Sequence, residues 1–388
     1  MVEGSVRTDL QAAAGPASTS REPSGPEPAS SSMPTGAAAT EPEGEPGPVA
    51  GLPQGGREVR EVVGELSIAA WALSALAFAL ETGLVDEIRT PAPPAAFASR
   101  IGIPAPMVEA VLDVLQAIGL VHREGSRFVA GPSLVNCLDG PARKQLQAEI
   151  RSNHLQGLHL VESGKQRPVR TGWCHDDSEI LEAQGARSRP VVEACVSHIF
   201  PRLRGLVESL QGPNASFLDV GSGVAAISVE MCHRFPTLRA VGLDPLEAAV
   251  AQAARNVQRA GLEDRIELRR GNVEDLEDDA LFDLAQVPIF FLPADVLVEG
   301  LQRIHRALRP GGWVVLQVLG APGFDLRPSV LRLWCVVWGS EAHSPEQAAS
   351  MLRHAGYEEV FILPPLPGPP VRYVVGRRPP LPGVVRDS

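Results

Sequence analysis

The chain has 388 residues, a formal net charge of −11 and 44% hydrophobic residues. That length implies about two or three domains with an ample core, and the acidic balance disfavours a general nucleic-acid binder. The five cysteines (Cys137, Cys174, Cys195, Cys232 and Cys335) include no CxxC pair. A scattered, odd set fits a reducing, cytoplasmic setting and gives neither a disulfide framework nor zinc-ligand spacing.

Residues 1–57 are rich in Pro, Gly, Ala, Ser and Glu and almost without apolar periodicity. Such a segment buries too little surface to offset its ordering entropy, so a disordered tail is expected. It lacks the basic start and apolar core of a signal peptide, and its frequent acids disfavour a transit sequence. Leu66 to Leu80 then reads LSIAAWALSALAFAL between Glu65 and Glu81. A run below the roughly 20 residues of a membrane span predicts a buried helix and no membrane partner. Being apolar all round, it needs cover on every side, which a second subunit would supply.

Residues 95–101 and 106–118 read as two helices around the turn Gly102-Ile103-Pro104-Ala105. Val108, Val111, Leu112, Leu115 and Ile118 share one face of the second. Two short strands, 120–123 and 127–130, flank Glu124-Gly125-Ser126, which completes a winged-helix pattern. A recognition helix needs Arg, Lys, Asn or Gln for bases and phosphates. This one carries Glu109 and Asp113, with Gln116 as its single base-reading type, so phosphates would repel it. A packing and dimerisation module over 58–141 is expected, and a transcriptional regulator stays as an alternative.

Residues 142–209 read as connecting helices, broken at 164–168 and 171–173. The break leads into Trp173-Cys174-His175-Asp176-Asp177. His175 beside two acids is a candidate base with raised pKa or a solvated loop residue. His154 is a second weak catalytic candidate. His154 and His159 are five apart and do not share a face at i, i+4. No third ligand accompanies His175, Asp176 and Asp177, so no metal site is expected.

The stretch 216–231, SFLDVGSGVAAISVEM, reads as strand, glycine turn and helix. A glycine turn there lets a ligand approach the backbone at a helix N-terminus. Strand 238–243 ends at Asp244, 25 residues after Asp219. An acid in that position can accept both hydroxyls of a ribose. Strand 265–269 runs into Gly271-Asn272-Val273-Glu274-Asp275. Strand 281–287, helix 295–308, the turn Arg309-Pro310-Gly311-Gly312 and strand 313–318 follow. Helix 344–356 and strands 358–363 and 371–375, around a Pro-rich connection, close the pattern, with residues from 377 onward reading as frayed. Asp219 can instead cap the following helix, and Asp244-Pro245 can be a plain turn.

Asp219-x-Gly221-x-Gly223, Asp244, Gly271-Asn272-Val273 and Leu308-Arg309-Pro310-Gly311-Gly312, in this order, resemble the class I S-adenosylmethionine-dependent methyltransferases. A dinucleotide-binding dehydrogenase would want a third glycine near 226, where Ala226 stands. The winged helix extends the resemblance to small-molecule O-methyltransferases. It implies an α/β fold: a Rossmann-like doubly wound sheet over 210–388, preceded by the mainly α winged-helix domain and the disordered tail. It implies S-adenosyl-L-methionine as cofactor, a homodimer, and a small-molecule substrate of specialised metabolism, without nucleic acid or membrane. The implied cofactor contacts are Asp219, Gly221, Ser222, Gly223, Asp244, Pro245, Asn272, Val273 and Gln286. The implied substrate contacts are Trp173, Gln184, Ser188, Phe290 and Phe291, with Gln184 and Ser188 falling near where the family often contacts the methionine part of the cofactor as well as the substrate. The family often has Asp where Asn272 stands, so an amide oxygen would replace a carboxylate.

The resemblance also places a catalytic His after the fourth strand, where this chain has Ile289-Phe290-Phe291-Leu292. Either His154, His175 or His343 serves as base, or the acceptor is already nucleophilic, as a carboxylate, amine or stabilised enolate is. O-, C- and N-methylation stay open, as does a non-catalytic scaffold. Val287-Pro288-Ile289-Phe290 lacks the Asn-Pro-Pro-aromatic motif of many enzymes that methylate amino groups of proteins and nucleic acids.

Overall fold

Apolar runs alternating with amphipathic segments make strands that need a helix on each face. The computed structural model describes residues 57–166, 168, 172–173, 175–320, 323, 325–366 and 370–381. The expected disordered tail, apart from residue 57, lies outside these residues, as do Cys174, residues 167 and 169–171 before it, part of the Pro-rich connection, and the chain after 381.

Helix α1 (Val59–Glu81) is followed by α2 (Leu84–Glu87), α3 (Pro94–Ile101) and α4 (Ala105–Ala117). The α3–α4 pair bends by 119° at its break. Strands β1 (Val121–Glu124) and β2 (Arg127–Ala130) form an antiparallel hairpin. Val108, Val111, Leu112 and Leu115 of α4 are buried together with Phe97, Val121 and Phe128. Ile118 departs from the expected face: it sits at the C-cap and is exposed.

The expectation of a short, buried apolar helix at 66–80 is corrected in two respects. The helix is 23 residues long, enough by length and composition to cross a membrane. Only Leu76, Ala79 and Leu80 are buried, while Val63, Leu66, Ile68 and Trp71 stand exposed, Trp71 at 78%. The C-terminal third of α1 packs on its neighbours; the rest projects.

Next come α5 (Pro132–Val135), α6 (Gly140–Ser163), α7 (Ser178–Ser188), α8 (Val191–Ala194) and α9 (Leu206–Gln211). The sheet is built from β3 (Ser216–Val220), β4 (Arg239–Asp244), β5 (Ile266–Arg270), β6 (Phe282–Pro288) and β7 (Leu308–Val318), all parallel, with α10 (Ala226–Arg234), α11 (Glu247–Ala260) and α12 (Ala294–Ala307) between them. Helices α13 (Leu326–Val337) and α14 (Pro345–His354) precede β8 (Glu358–Ile362) and β9 (Arg372–Arg377). The strand order is β5-β4-β3-β6-β7-β9-β8, with β9 antiparallel to both neighbours. Order reverses between β3 and β6, and ligands of open α/β sheets bind at that switch point.

Side-chain alternation along the strands divides the core. Phe217, Ala240, Leu284 and Trp313 pack on one face of the sheet, and Leu218, Val241, Ala285 and Val314 on the other. Trp313 is almost fully buried, and its indole N–H donates to the Arg204 carbonyl at 3.2 Å. Helix α14 starts with a capping box between Ser344 and Gln347. Helix α13 was not expected from the sequence, which reads there as an unassigned segment.

Helix α7 lies directly on the turn after β3, and a glycine makes that approach possible. A Cβ added at Gly185 would lie 2.2 Å from Val224 Cγ2. Valine is stiff at χ1 and cannot swing clear. Gly185→Ala is expected to destabilise the protein by about 1–3 kcal/mol, and Val224→Ala in the same chain to restore part of it. Urea unfolding of the two single variants and the double variant checks this, and additive losses would exclude the contact as cause.

Candidate cofactor and acceptor site

Strand β3 ends at Val220, and the chain turns through Gly221 (φ 64°) and Gly223 (φ 53°). This is left-handed backbone that glycine adopts without a Cβ penalty. The amides of Gly221 and Ser222 both donate to the Leu243 carbonyl, at 2.8 and 3.1 Å, which ties the turn to β4. Ala225 follows at φ 60° and α10 begins.

Asp244, the last residue of β4, closes the turn from the other side. Its carboxylate accepts from the Gly223 amide at 2.8 Å and the Leu246 amide at 2.9 Å. It is 6% exposed, and burial raises its pKa against the lowering effect of those two amides.

Asp219 points into the protein. One carboxylate oxygen accepts from the Ser228 amide at 3.1 Å and the Ser228 hydroxyl at 2.6 Å, in the first turn of α10. The other accepts from Gln286 Nε2 at 3.3 Å, and Gln286 Oε1 accepts in turn from Gln317 Nε2. The capping role weighed from the sequence is thus what this carboxylate performs here. Burial outweighs these hydrogen bonds and pushes its pKa from 3.8 to about 6.

After β5, Val273 is buried against α12, where a Cβ on Gly300 would lie 2.7 Å from Val273 Cγ1. Asn272 is exposed and donates toward Asp275 Oδ2 at 3.4 Å. From the opposite side, α7 presents Gln184 and Ser188. Phe290 and Phe291, from the turn after β6, meet Trp338 with ring centroids 5.7 and 4.8 Å apart. Trp173 lies 5.0 Å from Phe291.

These pieces enclose a cavity of about 310 Å³ at the C-terminal ends of the strands. It is lined by Asp219, Gly221, Ser222, Gly223, Asp244, Pro245, Asn272, Val273 and Gln286, and also by Trp173, Gln184, Ser188, Phe290 and Phe291. Glu274, Gln317 and Trp338 also line it and were not singled out from the sequence. The Gln317 amide reaches the cavity only because β7 lies beside β6, and Trp338 is the C-cap of α13.

The candidate histidines stand elsewhere. His154 is exposed on α6, its Nδ1 beside the Ile150 carbonyl. His175 packs between His159 and Trp173, with centroids 4.3 and 4.4 Å apart. The expectation of a raised His175 pKa is reversed: burial, then His159, lower it to about 4, outweighing Asp177 and Asp176. His343 is buried with its pKa lowered by burial. None of the three lines the cavity, and no described lining residue is His, Lys, Arg, Cys or Tyr. Among the described residues, no group of three or more His, Cys, Asp or Glu side chains is arranged to hold a metal ion.

Asp219 generates a testable pH dependence. Its folded-state pKa lies above its unfolded one, so its contribution to stability is complete below about pH 4 and lost as pH rises through about 6. Asp219→Asn is therefore expected to gain stability relative to wild type between pH 4.5 and 7.5, by about 1–3 kcal/mol. Paired urea titrations across that range check it; a pH-independent difference would refute it.

A family model described as a methyltransferase domain matches residues 217–312. Over 177 residues the chain is 30% identical to a release factor glutamine methyltransferase of Cereibacter sphaeroides, covering 43% of this chain and 62% of that protein. The chain thus spans less than two thirds of that relative's length. The solved S-adenosylmethionine-dependent methyltransferase SibL aligns with a TM-score of 0.60 at 18% identity, over 83% of this chain and all of its own. Mitomycin 7-O-methyltransferase MmcR aligns at 0.54 and 20% identity, over 82% of this chain and 97% of its own. Residues 217–312 are therefore a methyltransferase domain, and the chain around them has the fold of the class I S-adenosylmethionine-dependent methyltransferases.

Proposed function

We propose that this protein transfers a methyl group from S-adenosyl-L-methionine to a small-molecule acceptor, and that the reaction takes place in the 310 Å³ cavity. The observation that carries this reading is the convergence of the glycine turn, Asp244 and Asn272-Val273 on one cavity at the switch point of a methyltransferase-type sheet. A small-molecule acceptor is in keeping with the fold shared with SibL and with MmcR, a mitomycin 7-O-methyltransferase by name.

The lining fits that cofactor. A Cβ at Gly223 would meet nothing within 4 Å, and one at Gly221 only Pro288 at 3.6 Å, so the turn's backbone is approachable. The titratable groups on the described lining are all acids, Asp219, Asp244 and Glu274, which suits a cationic ligand. When bound, S-adenosyl-L-methionine supplies a methyl on a positively charged sulfur, already activated for transfer. Asp244 holds the ribose hydroxyls while keeping its two backbone amides, and Pro245 shapes that edge. Asn272 and Val273 flank the adenine, with Asn272 Oδ1 accepting from the amino group. Residues 219–223 and Gln286 line the methionine portion. Trp173, Gln184, Ser188, Phe290 and Phe291 hold the acceptor and exclude water. With no described histidine on the lining, the chain's contribution is orientation and desolvation of an acceptor that is already nucleophilic.

Residues 58–141 act as a winged-helix dimerisation module, 142–209 as the connecting helices of the substrate pocket, and 210–388 as the catalytic domain. The exposed apolar face of α1 is covered by a second copy of the chain rather than by a membrane. Glu109 and Asp113, exposed on α4, argue against DNA as partner. The free thiols of Cys137, Cys195, Cys232 and Cys335 accord with a reducing cytoplasm.

Calorimetric titration with S-adenosylhomocysteine tests the cofactor site. Wild type is expected to bind, and Asp244→Ala to bind about ten- to a hundredfold more weakly, the scale of a hydrogen bond to a charged group. A folded wild type that does not bind would overturn the proposal. The oligomer has its own test: wild type sediments as a dimer, and Ile68→Glu with Trp71→Glu as a monomer. A monomeric wild type would remove the dimer from the reading.

A further inference from the structure

A chain of side-chain amides crosses the top of the acceptor side, and its direction is set by one indole. Trp338 Nε1–H donates to Gln156 Oε1 at 2.9 Å. An indole nitrogen is a donor only, so Gln156 must present its oxygen there and its NH2 to the other side. That NH2 donates to Ser152 Oγ at 2.7 Å and to Gln184 Oε1 at 3.1 Å. The Ser152 hydroxyl, fully buried, donates to the same Gln184 oxygen at 3.2 Å.

Gln184 therefore has its oxygen committed twice, and its Nε2 is what remains for the cavity it lines. Among the described residues that NH2 has one weak partner, Ser188 Oγ at 3.5 Å, the outer limit of a hydrogen bond. The Ser188 hydroxyl meanwhile donates to the Gln184 carbonyl at 3.0 Å. Flipping the Gln184 amide would set its NH2 against the Gln156 NH2, and the indole prevents Gln156 from flipping to match.

The position of this donor identifies what it serves. Through Gln156 it is joined to Trp338, and Trp338 belongs to the aromatic wall with Phe290, Phe291 and Trp173. Such a wall favours offset or edge contact with a flat π-system.

The geometry points to Gln184 as the residue that recognises the methyl acceptor: its Nε2–H donates to a carbonyl or anionic oxygen on a flat, conjugated molecule lying against Trp173, Phe291 and Trp338. Gln156 and Trp338 are positioning residues for that donor. This inference rests on the proposed methyl transfer and names the class of its acceptor. It agrees with a cavity whose described lining carries no histidine, because a conjugated oxyanion needs no proton removed from it, and a fixed donor lowers the cost of burying its charge.

The test uses two bicyclic probes of similar size, titrated into the full chain in the presence of S-adenosylhomocysteine at pH 7.5, with binding read from tryptophan fluorescence. One is 2-hydroxy-1,4-naphthoquinone, an anion with conjugated carbonyls; the other is 2-naphthol, neutral and without a carbonyl. Wild type is expected to prefer the quinone by about tenfold or more, the scale of a hydrogen bond to a charged group. Gln184→Leu should narrow that preference to about twofold or less while S-adenosylhomocysteine and 2-naphthol affinities stay within about twofold of wild type. Gln156→Leu, outside the cavity, frees the Gln184 amide to turn and should give an intermediate preference. Equal binding of the probes by wild type, no quinone binding by a protein that binds S-adenosylhomocysteine, or an undiminished preference in Gln184→Leu would each overturn the inference. Failure of wild type to bind S-adenosylhomocysteine would instead bring down the methyl-transfer reading beneath it.

Discussion

The site depends on one seam. The turn after β3 has no helical or sheet partners of its own, and its amides must bond elsewhere. Two of them take the Leu243 carbonyl and a third takes the Asp244 carboxylate, all at the end of β4. Asp244 spends its second oxygen on Leu246, at the entry to α11. One buried carboxylate thus holds together the ends of two strands and the start of a helix. Burying that charge is costly, and the two amides offset the cost. The same arrangement puts the carboxylate on the cavity wall, so what holds the turn in place also faces the ligand.

A second buried carboxylate does comparable work one strand over. Asp219 joins the first turn of α10 to the Gln286–Gln317 pair on β6 and β7. The polar chain spans the middle of the sheet where its order reverses. Strand ends there are splayed and leave room for a ligand, and the amides satisfy polar groups that would otherwise be orphaned in a dry interior. The acceptor side has a different character, with tryptophan and phenylalanine rings around a few amides of set direction. Acids line one part of the cavity and flat apolar rings another, a division that the proposed transfer from a cationic donor to a conjugated acceptor would use.

Much of this was legible in the chain. The Asp219–Gly223 turn and Asp244 could be located because each rests on a local rule, a glycine where φ is positive and an acid at a strand end, while Asn272-Val273 was singled out by the family resemblance. The strand boundaries of β3 to β6 came within a residue or two for the same reason. The fate of α1 was not legible. Composition marked it as apolar all round and implied burial, yet most of it projects from the protein, because the number of neighbours around a helix is not a property of its sequence. His175 failed similarly. Two adjacent acids suggested a raised pKa, but the fold packs the ring against His159 and Trp173 and lowers it instead.

By itself the sequence determined the succession of strands and helices apart from α13, and the glycine turn, together with the acids near the ends of β3 and β4. Periodicity and backbone sterics act over a few residues and are written directly in the chain. Only the tertiary structure decided that Gln317 meets Gln286, that Trp338 orients Gln156 and through it Gln184, and that no described histidine reaches the cavity. Gln156 and Trp338 are 182 residues apart in sequence. Their hydrogen bond exists because α6 and α13 are brought together over the sheet, and a donor's direction is fixed by the partner it meets, which spacing along the chain does not encode.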